Sequence, residues 1–96
     1  MTDAYEVHTV RTALHQLGTL GYKVVASSDG VTRYIRNDVE AHLKAADGTD
    51  EAVFFLERPG HHCSVFVVWG LGGDCIADFS ADSDAELDRI DEVIYV

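Results

Sequence analysis

Asp84, Asp88, Asp91 and Glu92 recur at i, i+4, i+7 and i+8 near the end of this sequence. On a helix that spacing gathers four carboxylates on one face. At 1.5 Å of rise per residue, i and i+4 stand about 6 Å apart along the axis. Such a row resembles one nucleic-acid strand's phosphates in scale and sign. Its chemistry is charge-assisted pairing with lysine and arginine rather than bond-making. Asp74, Asp78 and Asp82 come just before it and can extend the row from the preceding turn and strand. Residues 74–96 hold eight acids and one base, Arg89, and therefore seven of the ten net negative charges of the chain. A folded anionic surface repels nucleic acid and attracts basic proteins. The row has a cost, because like charges at i,i+4 destabilise a helix by a few tenths of a kcal/mol per pair. Only acids in the first turn, Asp84 and Glu86, recover part of it from the helix dipole. The competing reading is a solvated face that aids solubility.

Other residues with chemical potential are arranged less well. His61, His62 and Cys63, taken with Cys75, are the right atoms for zinc. Adjacent residues do not direct three ligands to one ion, and no CxxC or HxxxH accompanies them. His8 and His15 lie seven residues apart on one expected helix, about 10.5 Å along its axis, too far to share a metal. No metal and no cofactor is expected. A cysteine nucleophile needs a neighbouring base and an electropositive setting, and Cys75 instead follows Asp74. Both cysteines read as buried, reduced thiols. The run Gly70-Leu71-Gly72-Gly73 leads into a strand and ends in Asp74, unlike a phosphate loop that opens a helix. Lys23, Arg33, Arg36 and Arg58 are scattered, without the basic stripe that nucleic-acid binding requires. The expectation is a protein that is not an enzyme and does not bind nucleic acid directly.

The elements that position these residues follow from local grammar. Three segments open with a capping pair and continue at helical spacing. They start at Asp3 with Glu6, at Asn37-Asp38 with Glu40, and at Ser83 with Glu86. The first runs through Val7, Val10, Leu14 and Leu17 to Gly18 and Gly21. Residues 22–27 and 31–36 flank Ser28-Asp29-Gly30, a hairpin signal. Residues 51–58, 63–69 and 75–79 read as a three-stranded meander, with Cys63 opposite about Ala81. The fold class is α+β: one domain over residues 1–96, order α-β-β-α-β-β-β-α. Three short helices accompany an antiparallel sheet of about five strands, built from the hairpin and the meander. Val53 to Leu56 and Val65 to Trp69 are apolar on both faces, which places them in central strands covered on both sides. Trp69, Phe55 and Phe66 are expected in the core. Three short helices do not suffice for two sheet faces, and a leftover apolar patch favours a homodimer or a protein partner.

With 47% apolar residues and one proline, the chain has the composition of a folded domain. No apolar run approaches the roughly 18–20 residues that span a bilayer, so no membrane association is expected. No basic segment leads into an apolar stretch at the N-terminus, so no secretory signal is expected.

In size, charge and layout the chain resembles the small inhibitor proteins of phages and mobile elements, anti-CRISPR proteins among them, some of which are DNA mimics. The resemblance is one of overall character across the whole chain. It rests on the acids at 74, 78, 82, 84, 86, 88, 91 and 92, with no diagnostic motif. It implies binding to the basic surface of a nucleic-acid-binding protein or complex, blockage of the nucleic acid, no catalysis, and a location in the cytoplasm of a bacterial host cell. An acidic immunity protein or antitoxin that neutralises a basic nuclease is the second reading. A small homodimeric interaction domain is the third.

Overall fold

A computed structural model of the chain describes residues 4–30, 33–34 and 38–94. The elements run α1 (Ala4–Thr19), β1 (Lys23–Ser28), β2 (Arg33–Tyr34), α2 (Val39–Ala46), β3 (Glu51–Arg58), β4 (His61–Val68), a 3-10 turn (Gly72–Asp74), β5 (Ile76–Ala81) and α3 (Asp84–Ile94). The order is the expected one, and the class is α+β with three helices. Four full strands make the body of the antiparallel sheet. The expected second strand contributes two described residues at its edge, so a count of about five is met only in that reduced sense. Asp3 and Asn37, expected to open the first two capping pairs, lie outside the described residues.

The strand order, which the sequence leaves open, is β2-β1-β3-β4-β5. The chain leaves β2, passes through α2 and returns to pair β3 with β1. The meander then runs outward, with Cys63 opposite Ala81 as the hairpin spacing predicts.

Each helix has a local cause. α1 stops because Gly21 takes φ 96°, a left-handed conformation costly for residues with a Cβ. The Gly21 N–H donates to the Gly18 carbonyl and the Tyr22 N–H to the Leu17 carbonyl, the paired bonds of a Schellman end. Tyr22 and Leu17 both sit in the core, the apolar contact that accompanies this motif. α2 starts where the Asp38 carboxylate accepts the Glu40 N–H at 3.0 Å.

All three helices pack on one face of the sheet. That face presents Val24, Ala52, Phe54, Leu56, Cys63, Val65 and Val67, buried with Val10, Leu14 and Leu17 of α1, Leu43 of α2 and Ile90 of α3. The opposite face has no helix among the described residues and leaves Val53, Phe55, Phe66 and Val68 half-buried. Central strands covered on both sides are therefore not what forms. The core phenylalanine is Phe54, fully buried. Phe55 and Phe66 lie on the open face, and Trp69 is packed at the core's margin with its indole N–H donating to Thr49 Oγ1 at 3.2 Å. In a run such as Val53-Phe54-Phe55-Leu56, either phase looks apolar, and only pairing decides which phenylalanine turns inward.

Candidate binding face and the polar cluster beneath it

α3 is an amphipathic helix whose inner stripe is Glu86 and Ile90. On its outer side Asp84, Asp88, Asp91 and Glu92 are all exposed. Among the described residues none of the four makes an ion pair. Asp84 to Asp91 covers seven helical steps, about 10.5 Å of axis. The helix starts at Ser83, whose Oγ accepts the Glu86 N–H at 3.2 Å. The reciprocal bond expected from Ser83 and Glu86 is replaced, because the Glu86 side chain turns inward.

Glu86 is the hub of a buried cluster. Its Oε1 accepts the Tyr22 phenol at 2.7 Å and the Arg58 Nε–H at 2.9 Å, with the Arg58 Nη2 beside it. The guanidinium also lies over the Tyr22 ring, 5.5 Å from its centroid. Tyr22 follows the end of α1, Arg58 closes β3 and Glu86 belongs to the first turn of α3. The cluster therefore clamps the start of the acidic helix to the sheet. The Tyr22 hydrogen bond, then the Arg58 bonds, hold the Glu86 carboxyl below the usual range. Burial, then the Glu86 acceptor, pushes the Tyr22 phenol up to about 12.

The other expected contact residues fall in three places. Asp82 lies just ahead of α3 and is engaged from within. It accepts the His62 N–H at 3.2 Å and faces His61 Nδ1 at 3.2 Å. The His61 hydrogen bond, aided by the His62 N–H, holds its carboxyl below the usual range. Asp74 is exposed in the 3-10 turn, at the rim of a cleft it shares with His8 and Thr12 of α1 and Phe79 of β5. Asp78 pairs across from Phe66 on the open sheet face and accepts the Phe79 N–H. Of the three, Asp82 is the one adjacent to α3 in the chain, with its carboxylate turned to His61 and His62. Asp78 lies on the other side of the sheet and does not extend the α3 row.

Two further features lie outside what the residue pattern alone suggested. Glu6 of α1 is 3% exposed. Its carboxylate accepts the Gly70 N–H at 2.9 Å and the Gly72 N–H at 2.9 Å. Gly70 and Gly72 have φ 97° and 61°, the conformation that turns successive N–H groups into an anion-binding concavity. The glycine-rich turn is thus a nest filled by the protein's own carboxylate. The second is Ser27 Oγ, 2.6 Å from Nδ1 of His42, whose side chain is fully buried. A bulge between Val24 and Ala26 shifts the phase of β1 and turns Ser27, opposite Phe54, toward α2.

The thiols and histidines do not converge. His62 and Cys63 point to opposite faces of β4, and no group of three metal-binding side chains forms among the described residues. Cys63 and Cys75 are free and buried. Cys75 bonds through its carbonyl to the Val68 N–H, five residues along β4 from Cys63, about 17 Å. A bridge needs Cα atoms within about 7 Å. Burial, then Asp82 and Glu86, pushes the Cys63 thiol up to about 12. Burial and the Glu6 carboxylate also raise Cys75. No helix among the described residues is long and apolar enough to cross a membrane.

No family model, curated protein or solved structure matches the chain. The reading of the site therefore rests on its own geometry.

Proposed function

We propose that this protein is a non-enzymatic inhibitor that binds the basic surface of a nucleic-acid-processing protein complex, in the manner of anti-CRISPR proteins, and keeps nucleic acid off it. The observation that supports this reading best is the outer side of α3. Asp84, Asp88, Asp91 and Glu92 are exposed and free of ion pairs among the described residues, on a helix whose first turn is clamped by Tyr22 and Arg58. A helix already folded and anchored at its first turn lowers the backbone ordering cost of binding. Channels that handle nucleic acid are lined with lysine and arginine, and those side chains meet carboxylates as they meet phosphates. Complementary charge speeds association and makes it salt-sensitive. Cys63, Cys75 and the Ser27–His42 pair are buried, so they are assigned no contact with the partner.

The test is competition. Proteins retained from a bacterial lysate on the immobilised chain are released with salt, and their binding to labelled duplex DNA is measured with and without added free chain. The proposal expects the chain to displace the DNA. A retained set whose DNA binding is unaffected by saturating chain contradicts it.

A further inference from the structure

The glycine-rich turn between β4 and β5 is shaped by bonds of its own. The Val68 N–H donates to the Cys75 carbonyl at 2.8 Å and closes the two strands around it. Within the turn the Asp74 N–H donates to the Leu71 carbonyl at 3.2 Å and the Cys75 N–H to the Gly72 carbonyl at 3.1 Å. On the β4 side Trp69 is pinned by its backbone N–H to the Asp50 carbonyl and by its indole N–H to Thr49. None of these bonds involves α1. Gly70 and Gly72 nevertheless aim their N–H groups at the carboxylate of Glu6 on α1. Its Oε2 accepts both at 2.9 Å, and its Oε1 lies 3.1 Å from the Gly70 nitrogen. Glu6 is buried and makes no ion pair among the described residues. A buried carboxylate without a counter-ion is costly unless hydrogen bonds answer its charge, so the N–H groups of the turn act as its receptor.

We infer that this turn is a carboxylate-binding site in its own right, with Glu6 as its built-in occupant. The receptor belongs to the β4–β5 hairpin and the ligand to α1, so the ligand can be removed while the receptor stays formed. The ligand class is a small planar carboxylate. Truncation of Glu6 to alanine removes Cγ, Cδ and the two carboxylate oxygens, and acetate has those same four non-hydrogen atoms in the same arrangement. The space left behind therefore has both the shape and the donors for acetate. Gly70 and Gly72 are exposed, so the site lies just beneath the surface and a small anion has a short way in. In the native chain Glu6 keeps the site closed to anions in solution, and the same contact fastens the start of α1 to the hairpin.

The test is chemical rescue. The wild-type chain, Glu6→Ala and Glu6→Gln are unfolded in urea at neutral pH, with acetate replacing chloride at constant ionic strength. A ligand of four non-hydrogen atoms binds weakly, with a dissociation constant of about 100 mM. Acetate at about 500 mM is then expected to multiply the folded-to-unfolded ratio of Glu6→Ala about sixfold. The wild type and Glu6→Gln, whose sites are filled, are expected to change far less. In an NMR titration of Glu6→Ala, the Gly70 and Gly72 amide signals are expected to shift and to saturate over the same acetate range. Where Glu6→Ala is unfolded without acetate, recovery of its helical circular dichroism as acetate is added reads the same binding. A Glu6→Ala chain that acetate stabilises no more than it stabilises the wild type overturns the inference. So does one whose Gly70 and Gly72 signals do not respond, or one that stays unfolded at the highest acetate.

Discussion

The Glu86 carboxylate accepts the Tyr22 phenol at 2.7 Å, joining residues sixty-four positions apart. One of the eight acids of the anionic C-terminal stretch is thereby withdrawn from the surface and used to anchor the helix that carries the others. Glu86→Gln keeps the shape but weakens the Arg58 and Tyr22 bonds. It is expected to lower the thermal midpoint, while Asp88→Asn, on the exposed side of the same helix, leaves it nearly unchanged. Thermal unfolding followed by circular dichroism checks the contrast.

The pH dependence of stability follows from the same cluster. The folded Glu86 and Asp82 carboxyls lie below their ordinary values. Their contribution is therefore complete above the unfolded carboxyl range near 4.3 and is lost as pH falls through the folded values. Tyr22 shifts the other way, to about 12. Its contribution is complete below the unfolded value near 10 and is lost as pH rises from there to about 12. Urea unfolding against pH is expected to fall off at both ends. Tyr22→Phe is expected to flatten the alkaline limb and Glu86→Gln the acid one.

Burial controls the thiols as well. Cys63, pushed up to about 12, and Cys75, also raised, are expected to react with a disulfide reagent at pH 8 far more slowly than a free thiol does. Full reactivity is expected on unfolding in denaturant. Two thiols that react quickly in the native chain would contradict their placement.

Glu6 in the glycine nest makes a separate prediction. Glu6→Ala strands the Gly70 and Gly72 N–H groups and is expected to cost about 2–3 kcal/mol by equilibrium unfolding. Glu6→Gln keeps one acceptor and should cost less.

The fold was more legible in the sequence than the polar interior. The caps at Asp38 and Ser83 and the pairing of Cys63 with Ala81 follow from local signals. The positions of Glu6 and Glu86 do not, because an acid in a helix's first turn looks the same whether it faces water or a partner sixty residues away. Ser27 faces inward only because of the β1 bulge, which pairing with β3 creates. The split of the acids has the same origin. Asp84, Asp88, Asp91 and Glu92 share a side through helix periodicity, a property of the sequence, whereas Asp78 is sent to the far side by the β4–β5 pairing. Phe55 and Phe66, expected in the core, lie on the open face while Phe54 is fully buried, for the same reason: strand phase is settled by partners, not by the run itself.

The most direct test of the acidic-helix account is charge reversal at Asp84 and Asp88. Lysines there oppose the helix dipole by only about 0.3–1 kcal/mol each, so the double variant is expected to keep its fold by circular dichroism. Wild-type and variant chains are immobilised in parallel, loaded with the same bacterial lysate and eluted in rising salt. The account predicts that the wild type retains basic nucleic-acid-binding proteins that salt or duplex DNA releases. It predicts that the folded Asp84→Lys/Asp88→Lys variant retains them at least tenfold less. Equal retention of the same proteins by the folded variant would contradict the account.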